Sequence, residues 1–197
     1  MGEEGQVKVL KDSIERRSRV MMVVPLLRVV ALFATATATI VMALNKEAHT
    51  FVVATVGNTP VKLTLTAKFQ HNPANVMFVI ANGVATLHSL LMLSLCFVSN
   101  KYDLKGLRSV TVATLDMMMI ALVSGATTAT VFMGELARHG NSHARWNKIC
   151  NNFERYCNQG SGAIAASYIG ILFLMIVFVV NIFRREQLNI IKNSMCA

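Results

Sequence analysis

The chain has 197 residues, 54% of them hydrophobic and only 15% charged, with a formal net charge of +9 and a mean hydropathy of +0.50. Its basic residues are divided among five short segments separated by apolar stretches, which excludes the continuous basic face that nucleic-acid binding needs. Close to half of the chain lies in four long apolar stretches, and what remains is too scattered to build a second domain.

Residues 1–20 are charged and polar and read as an N-terminal tail. A myristoylation motif wants Ser or Thr at position 6, where this chain has Gln6. The first apolar stretch, 21–44, is longer than a signal-peptide core and is expected to be a retained signal-anchor helix. A bilayer core of ~30 Å takes roughly 20 helical residues at ~1.5 Å each, so this stretch can span. The stretches 77–98, 110–136 and 163–183 meet the same criterion. Ala and Thr alternate from Ala34 to Thr39, and those hydroxyls can bond to carbonyls of the preceding turn.

Between the first two spans, Thr50–Val56 and Val61–Lys68 are rich in Val, Thr, Phe and Leu. Gly57-Asn58-Thr59-Pro60 separates them with turn chemistry, so loop 45–76 reads as a short β-hairpin or an irregular loop. A lone hairpin is marginal in water and is expected to lean on the helix ends or on a neighbouring chain. Span 77–98 carries His88 near its middle and Cys96, read as a packing residue. The short loop 99–109 leads to span 110–136, with Asp116 near its start and Glu135 near its end.

Loop 137–162 holds Cys150 and Cys157. A disulfide is the preferred reading, worth roughly 2–3 kcal/mol as a small closed loop. Free thiols, or a zinc site with His139 and His143, are the alternatives, the latter with ligand spacing that fits no standard pattern. Small residues recur at intervals of four on span three (Ala121, Gly125, Ala129) and span four (Gly162, Ala166, Gly170), which lets helix backbones approach closely in lipid. They suit a compact bundle or contact between two chains. The tail 184–197 ends with Cys196, a palmitoylation candidate. No Asn starts an acceptable N-glycosylation triplet.

Eleven Lys and Arg residues flank the membrane in the N-tail, loop 99–109 and C-tail, against seven in the two longer loops. The positive-inside rule places both termini in the cytosol and loops 45–76 and 137–162 outside. Attraction of juxtamembrane basic residues to anionic lipid accounts for the net charge, so membrane lipid is the first expected partner.

Arg28 lies about seven residues into the first span and Asp116 about six into the third, roughly 9–11 Å from the same side. Alone, each would cost ~2.5–3.5 kcal/mol in the membrane; as a pair across a helix interface they offset one another. The pair reads as a tie that sets the register of spans one and three, or as part of an ion pathway. Neither His88 nor Glu135 is expected to extend a path from Asp116. No metalloprotease, nucleophile-elbow, P-loop or paired CxxC framework occurs. Neither an enzyme nor a cofactor or metal is expected.

These features resemble one family. Four spans with Arg28 in the first and Asp116 in the third are similar to the plant Casparian strip membrane domain proteins and their CASP-like relatives, which are related to MARVEL-domain proteins. Ala43-Leu44-Asn45-Lys46-Glu47 resembles the family's first-span ending, and Phe78-Val79-Ile80-Ala81-Asn82 the start of its second span. Gly140-Asn141-Ser142-His143 followed by Trp146, Cys150, Phe153 and Cys157 resembles its second outer loop. The first outer loop lacks the Phe-rich signature of the strip-forming members, and His88 stands where relatives often have an aromatic residue. The resemblance implies an all-α, four-transmembrane-helix (MARVEL-like) plasma-membrane protein that forms homo- and hetero-oligomers with related four-span proteins. It further implies a scaffold for a membrane domain and for local cell-wall modification, with cell-wall enzymes as unidentified partners. A small transporter or channel using Arg28 and Asp116 is the alternative.

Overall fold

The computed structural model describes residues 3–98 and 107–195. Four helices, α1 (Glu3–Ala43), α2 (Pro73–Val98), α3 (Leu107–His139) and α4 (Glu154–Met195), form an up-and-down bundle. Strands β1 (Lys46–Val56) and β2 (Thr59–Lys68) form a two-stranded antiparallel sheet between α1 and α2. A single 3-10 turn, Phe69–His71, leads from β2 into α2. Each helix packs on two neighbours: α1 and α3 both lie against α2 and α4. That leaves α1 and α3 on the diagonal, a correction to the expectation that Arg28 and Asp116 sit across one helix interface.

Each helix buries a stripe at spacings of three and four residues, the geometry of one helix face. On α1 the stripe is Arg28, Ala31, Thr35, Ala38 and Met42; on α4 it is Ala163, Ser167, Ile171, Leu174 and Val177. Two apolar clusters pack in the interior, Ala38–Met42–Phe78–Ala163 and Ala81–Ala85–Val123–Ala126–Ile171. Most of these residues are small, whereas Phe33, Leu87, Leu91, Phe132 and Leu172 point outward. In water such a surface would be an extended apolar patch. In hydrocarbon it meets its own kind, while backbone polar groups are satisfied within each helix. Segments of all four helices are long and apolar enough to cross a bilayer (Met22–Ala43, Pro73–Cys96, Thr111–His139 and Glu154–Phe183). The chain is a multi-pass membrane protein.

The helices overrun the apolar stretches. α2 starts at Pro73 rather than 77, because Asn72 caps it (Ala74 N–H to Asn72 Oδ1, 3.0 Å) and proline suits the first helical position. α3 continues to His139 and ends on Gly140, whose φ of 69° closes the helix. A Cβ there would meet Trp146 O at 2.7 Å, so glycine is required twice over. α4 starts at Glu154, well before residue 163. Its first turns are polar and escape a hydropathy reading, yet they are helical, so the second outer loop shrinks to 140–153. The backbone of α1 and α4 also runs on into both tails. Cys196 and most of loop 99–109 lie outside the described residues.

The hairpin is longer and tighter than expected. Its turn is only Gly57-Asn58, with Val56 paired to Thr59, so Thr59 and Pro60 belong to β2. Gly57 has φ 63°, the glycine-first pattern of a two-residue hairpin turn. A bulge falls between Val52 and Ala54. The base of the ribbon is held by Phe69 N–H donating to Asn45 O at 3.3 Å.

Candidate functional site

Near one end of the bundle, three ionisable side chains from three helices meet in the interior. Arg28 Nη2 of α1 donates to Asp116 Oδ2 of α3 across the diagonal. His88 of α2 lies with Nε2 2.8 Å from Asp116 Oδ1. All three are buried, Asp116 completely. An ionised carboxylate only accepts, so His88 donates from Nε2, and a neutral imidazole keeps Nδ1 as its acceptor. The sequence reading left His88 apart from Asp116, and the structure corrects it. The signal was present: an ionisable residue inside a span faces the bundle interior by default. Glu135 does stand apart, exposed at the far end of α3 and 2.9 Å from His139 Nδ1 one turn on.

Neutral polar links continue from this cluster towards the hairpin. Thr86 Oγ1 donates to Thr35 Oγ1 (2.9 Å), and the Thr35 hydroxyl turns back to Ala31 O (3.0 Å), as Thr39 does to Thr35 O (2.8 Å). Further along, Ser167 Oγ donates to Asn82 Oδ1 (2.9 Å) and accepts from Thr127 Oγ1 (2.9 Å), joining α2, α3 and α4. Thr130 donates to Ala74 O at 3.1 Å. On α2 the polar positions 75, 82, 86 and 89 share one face, a pattern that spacing alone could have shown. Among the described residues, Arg28 Nη1, Asn45 Oδ1 and Ser89 Oγ are buried without a hydrogen-bond partner.

The hairpin end is organised around Tyr156. Its hydroxyl accepts from Asn75 Nδ2 (2.9 Å), its carbonyl from Asn45 Nδ2 (2.8 Å), and its N–H donates to Glu47 Oε2 (2.7 Å). Glu47 Oε1 lies 2.9 Å from His49 Nε2. Burial alone would raise the Glu47 pKa, but the Tyr156 N–H, the His49 ring and the Arg155 charge outweigh it and hold the carboxyl below its ordinary value. His49 also packs edge-on against Phe153, ring centroids 5.5 Å apart. Cys150 and Cys157 form a disulfide with Cα atoms 5.7 Å apart, pinning the loop to the first turn of α4. With both sulfurs bridged, no thiolate is left there for a metal. Between β1, this loop and α4 lies an open cleft of about 510 Å³, lined in part by Glu47, His49, Asn151, Arg155 and Asn158.

The small residues divide. Gly170 is packed so closely against α1 that a Cβ would meet Thr35 Cγ2 at 2.8 Å, and Ala166 is half-buried. Gly162 is exposed, and so are Ala121, Gly125 and Ala129, which lie away from the other three helices. The α3 stripe therefore takes no part in packing within the chain. Cys96 is exposed rather than packed inside.

The Casparian strip membrane protein domain matches residues 17–173, a range that contains every residue of these clusters. The chain belongs to the CASP-like family. CASP-like protein 1B1 of Populus trichocarpa is 58% identical over 159 residues, covering 81% of this chain and 82% of the relative. CASP-like protein 1B2 of the same species is 52% identical over 181 residues, covering 92% and 90%. CASP-like protein 1B2 of Arabidopsis thaliana is 51% identical over 158 residues, covering 80% of each. No solved structure matches this CASP-like chain.

Proposed function

We propose that this CASP-like chain is a non-enzymatic plasma-membrane scaffold, with both termini in the cytosol, that associates laterally with copies of itself and with related four-span proteins. The observation that carries this reading is the outward stripe Ala121–Gly125–Ala129, a close-packing face that no helix of its own chain uses. Small residues of this kind let a second helix approach closely in lipid, where burial from water supplies no drive and packing must. By kinship the assembly organises a membrane domain and local cell-wall modification. The disulfide supports the orientation, because a bridge forms and lasts on the non-cytosolic side.

Photobleaching of a tagged copy is expected to show slow recovery, and a native gel higher-order species, both reverting towards monomer in Gly125→Leu. Free diffusion of the unmodified protein as a monomer would refute the scaffold.

A small transporter or channel is the second reading, favoured by the buried Arg28–Asp116–His88 cluster and the unpartnered Arg28 Nη1. It requires Asp116→Asn to abolish a flux while the protein still folds and traffics. The apolar clusters around Phe78 and Val123, which share the interior with the neutral polar links, count against it.

A further inference from the structure

We propose that the cleft between the base of the hairpin and the start of α4 is a binding site for a neutral, polyhydroxylated ligand, a short oligosaccharide segment. Its volume of about 510 Å³ is in the usual range for ligand sites, roughly 300–1,000 Å³. Every side chain that lines it can form hydrogen bonds, which disfavours an acyl chain or another apolar ligand. Four of them are carboxamides, Asn151, Asn152, Asn158 and Gln159. Each carboxamide offers both donors and an acceptor, matching hydroxyl groups that both donate and accept.

The charged groups point the same way. Glu47 and Glu154 oppose an acidic ligand, and Arg155 beside them opposes a simple cation. Both Glu47 oxygens are already engaged, one by the Tyr156 N–H and one by His49, so this carboxylate is a fixed wall rather than a free metal ligand. His49, held edge-on by Phe153 and half-exposed, lines the cleft with a planar ring of the kind that packs against the C–H face of a sugar. The disulfide fixes the loop carrying Asn151 and Asn152 relative to the α4 turn carrying Asn158 and Gln159, so the backbone that presents the carboxamides is set before any ligand arrives. Preorganisation of this kind removes part of the ordering cost of binding.

The test uses the full chain in lipid nanodiscs, open on both faces, so its outcome is independent of the orientation and of the scaffold reading. Saturation-transfer NMR is run with cellohexaose, mannohexaose and hexagalacturonate, and thermal shift with calcium chloride alone. Transfer to at least one neutral hexasaccharide is expected, with binding weakened about tenfold or more in Asn151→Ala/Asn158→Ala. That variant must keep the disulfide and the unmodified thermal transition. Should it fail to fold, Asn158→Asp, which keeps the shape and loses the donor, must give the loss. Undiminished binding in the variant that folds would overturn the proposal. So would preference for the galacturonate, stabilisation by calcium without sugar binding, or no transfer to either neutral sugar.

Discussion

Arg28 and Asp116 join two helices that pack chiefly on α2 and α4 rather than on one another, reaching across the diagonal of the bundle. With His88 as the second donor, one buried carboxylate ties α1, α2 and α3 at one level. Asp116→Asn removes the charge and leaves the guanidinium buried without its counter-ion. Breaking such a pair costs about 3–5 kcal/mol. The variant is expected to be retained and degraded in cells, and to unfold at a clearly lower temperature in detergent. The double exchange Arg28→Asp with Asp116→Arg restores the pair but turns His88 towards a cation, so only partial recovery is expected.

His88→Phe tests the second arm by itself. Asp116 keeps Arg28 and loses one buried hydrogen bond, a cost of about 1–3 kcal/mol. Expression and a modest drop in thermal midpoint are expected, in contrast with Asp116→Asn. Equal damage from both would mean that His88, not Arg28, is the main support of the carboxylate.

Two glycines are predicted to behave oppositely. Gly170→Val pushes a side chain into Thr35, and overpacking of this kind costs about 1–3 kcal/mol. A Cβ added at Gly125 would meet nothing within 4 Å in its own chain, and the position is exposed, so Gly125→Leu has room to point outward. It is expected to leave the thermal midpoint of the monomer unchanged while reducing self-association, measured by native gel or by energy transfer between tagged copies.

Reduction of the Cys150–Cys157 bridge is expected to lower stability by roughly 2–3 kcal/mol, the value for a short closed loop. The loss should concentrate at the start of α4. Thermal scans with and without reductant, and Cys157→Ser as a reductant-insensitive control, check this.

The hairpin base is predicted to be acid-sensitive. The folded Glu47 pKa lies below its unfolded value of about 4.3. Its contribution is therefore complete above that value and is lost as pH falls through the lower, folded pKa. Protection of the Tyr156 amide hydrogen, its exchange compared with that of the unfolded chain at the same pH, should fall over that acid range. In Glu47→Gln, whose side-chain oxygen still accepts but carries no charge, the protection should be lower and show no such step.

The spans were legible because twenty apolar residues leave a helix few other places to be, and Cys150 and Cys157 could be matched because they share one short loop. The helix ends were harder. The turns from Glu154 to Gly162 are polar, and the Tyr156 contacts that tie them to the bundle reach 81 to 111 residues along the chain, which no local window contains. Asn72-Pro73 did carry its start signal in plain sight, but it lay outside the apolar run. At the interior site, Arg28 and Asp116 announced themselves as charges. His88, Asn82, Ser167 and Thr127 became partners only through the rotation of each helix about its axis, which their separate segments do not specify. The same rotation turned the α3 stripe outward.

The hairpin gives the chain reach. Eleven residues of β1, rising about 3.3 Å each, carry the Gly57-Asn58 turn on the order of 30 Å from the ribbon's base. Among the described residues the ribbon is fastened to the helices at that base, through Asn45, Glu47 and His49, so the distal part projects from the bundle as a lever. An epitope or fluorophore inserted between Gly57 and Asn58 would ride at the end of that lever, at the kind of loop tip that tolerates insertion. It would label the protein on the same membrane face as the disulfide, leaving the charge cluster and the lateral face of α3 untouched.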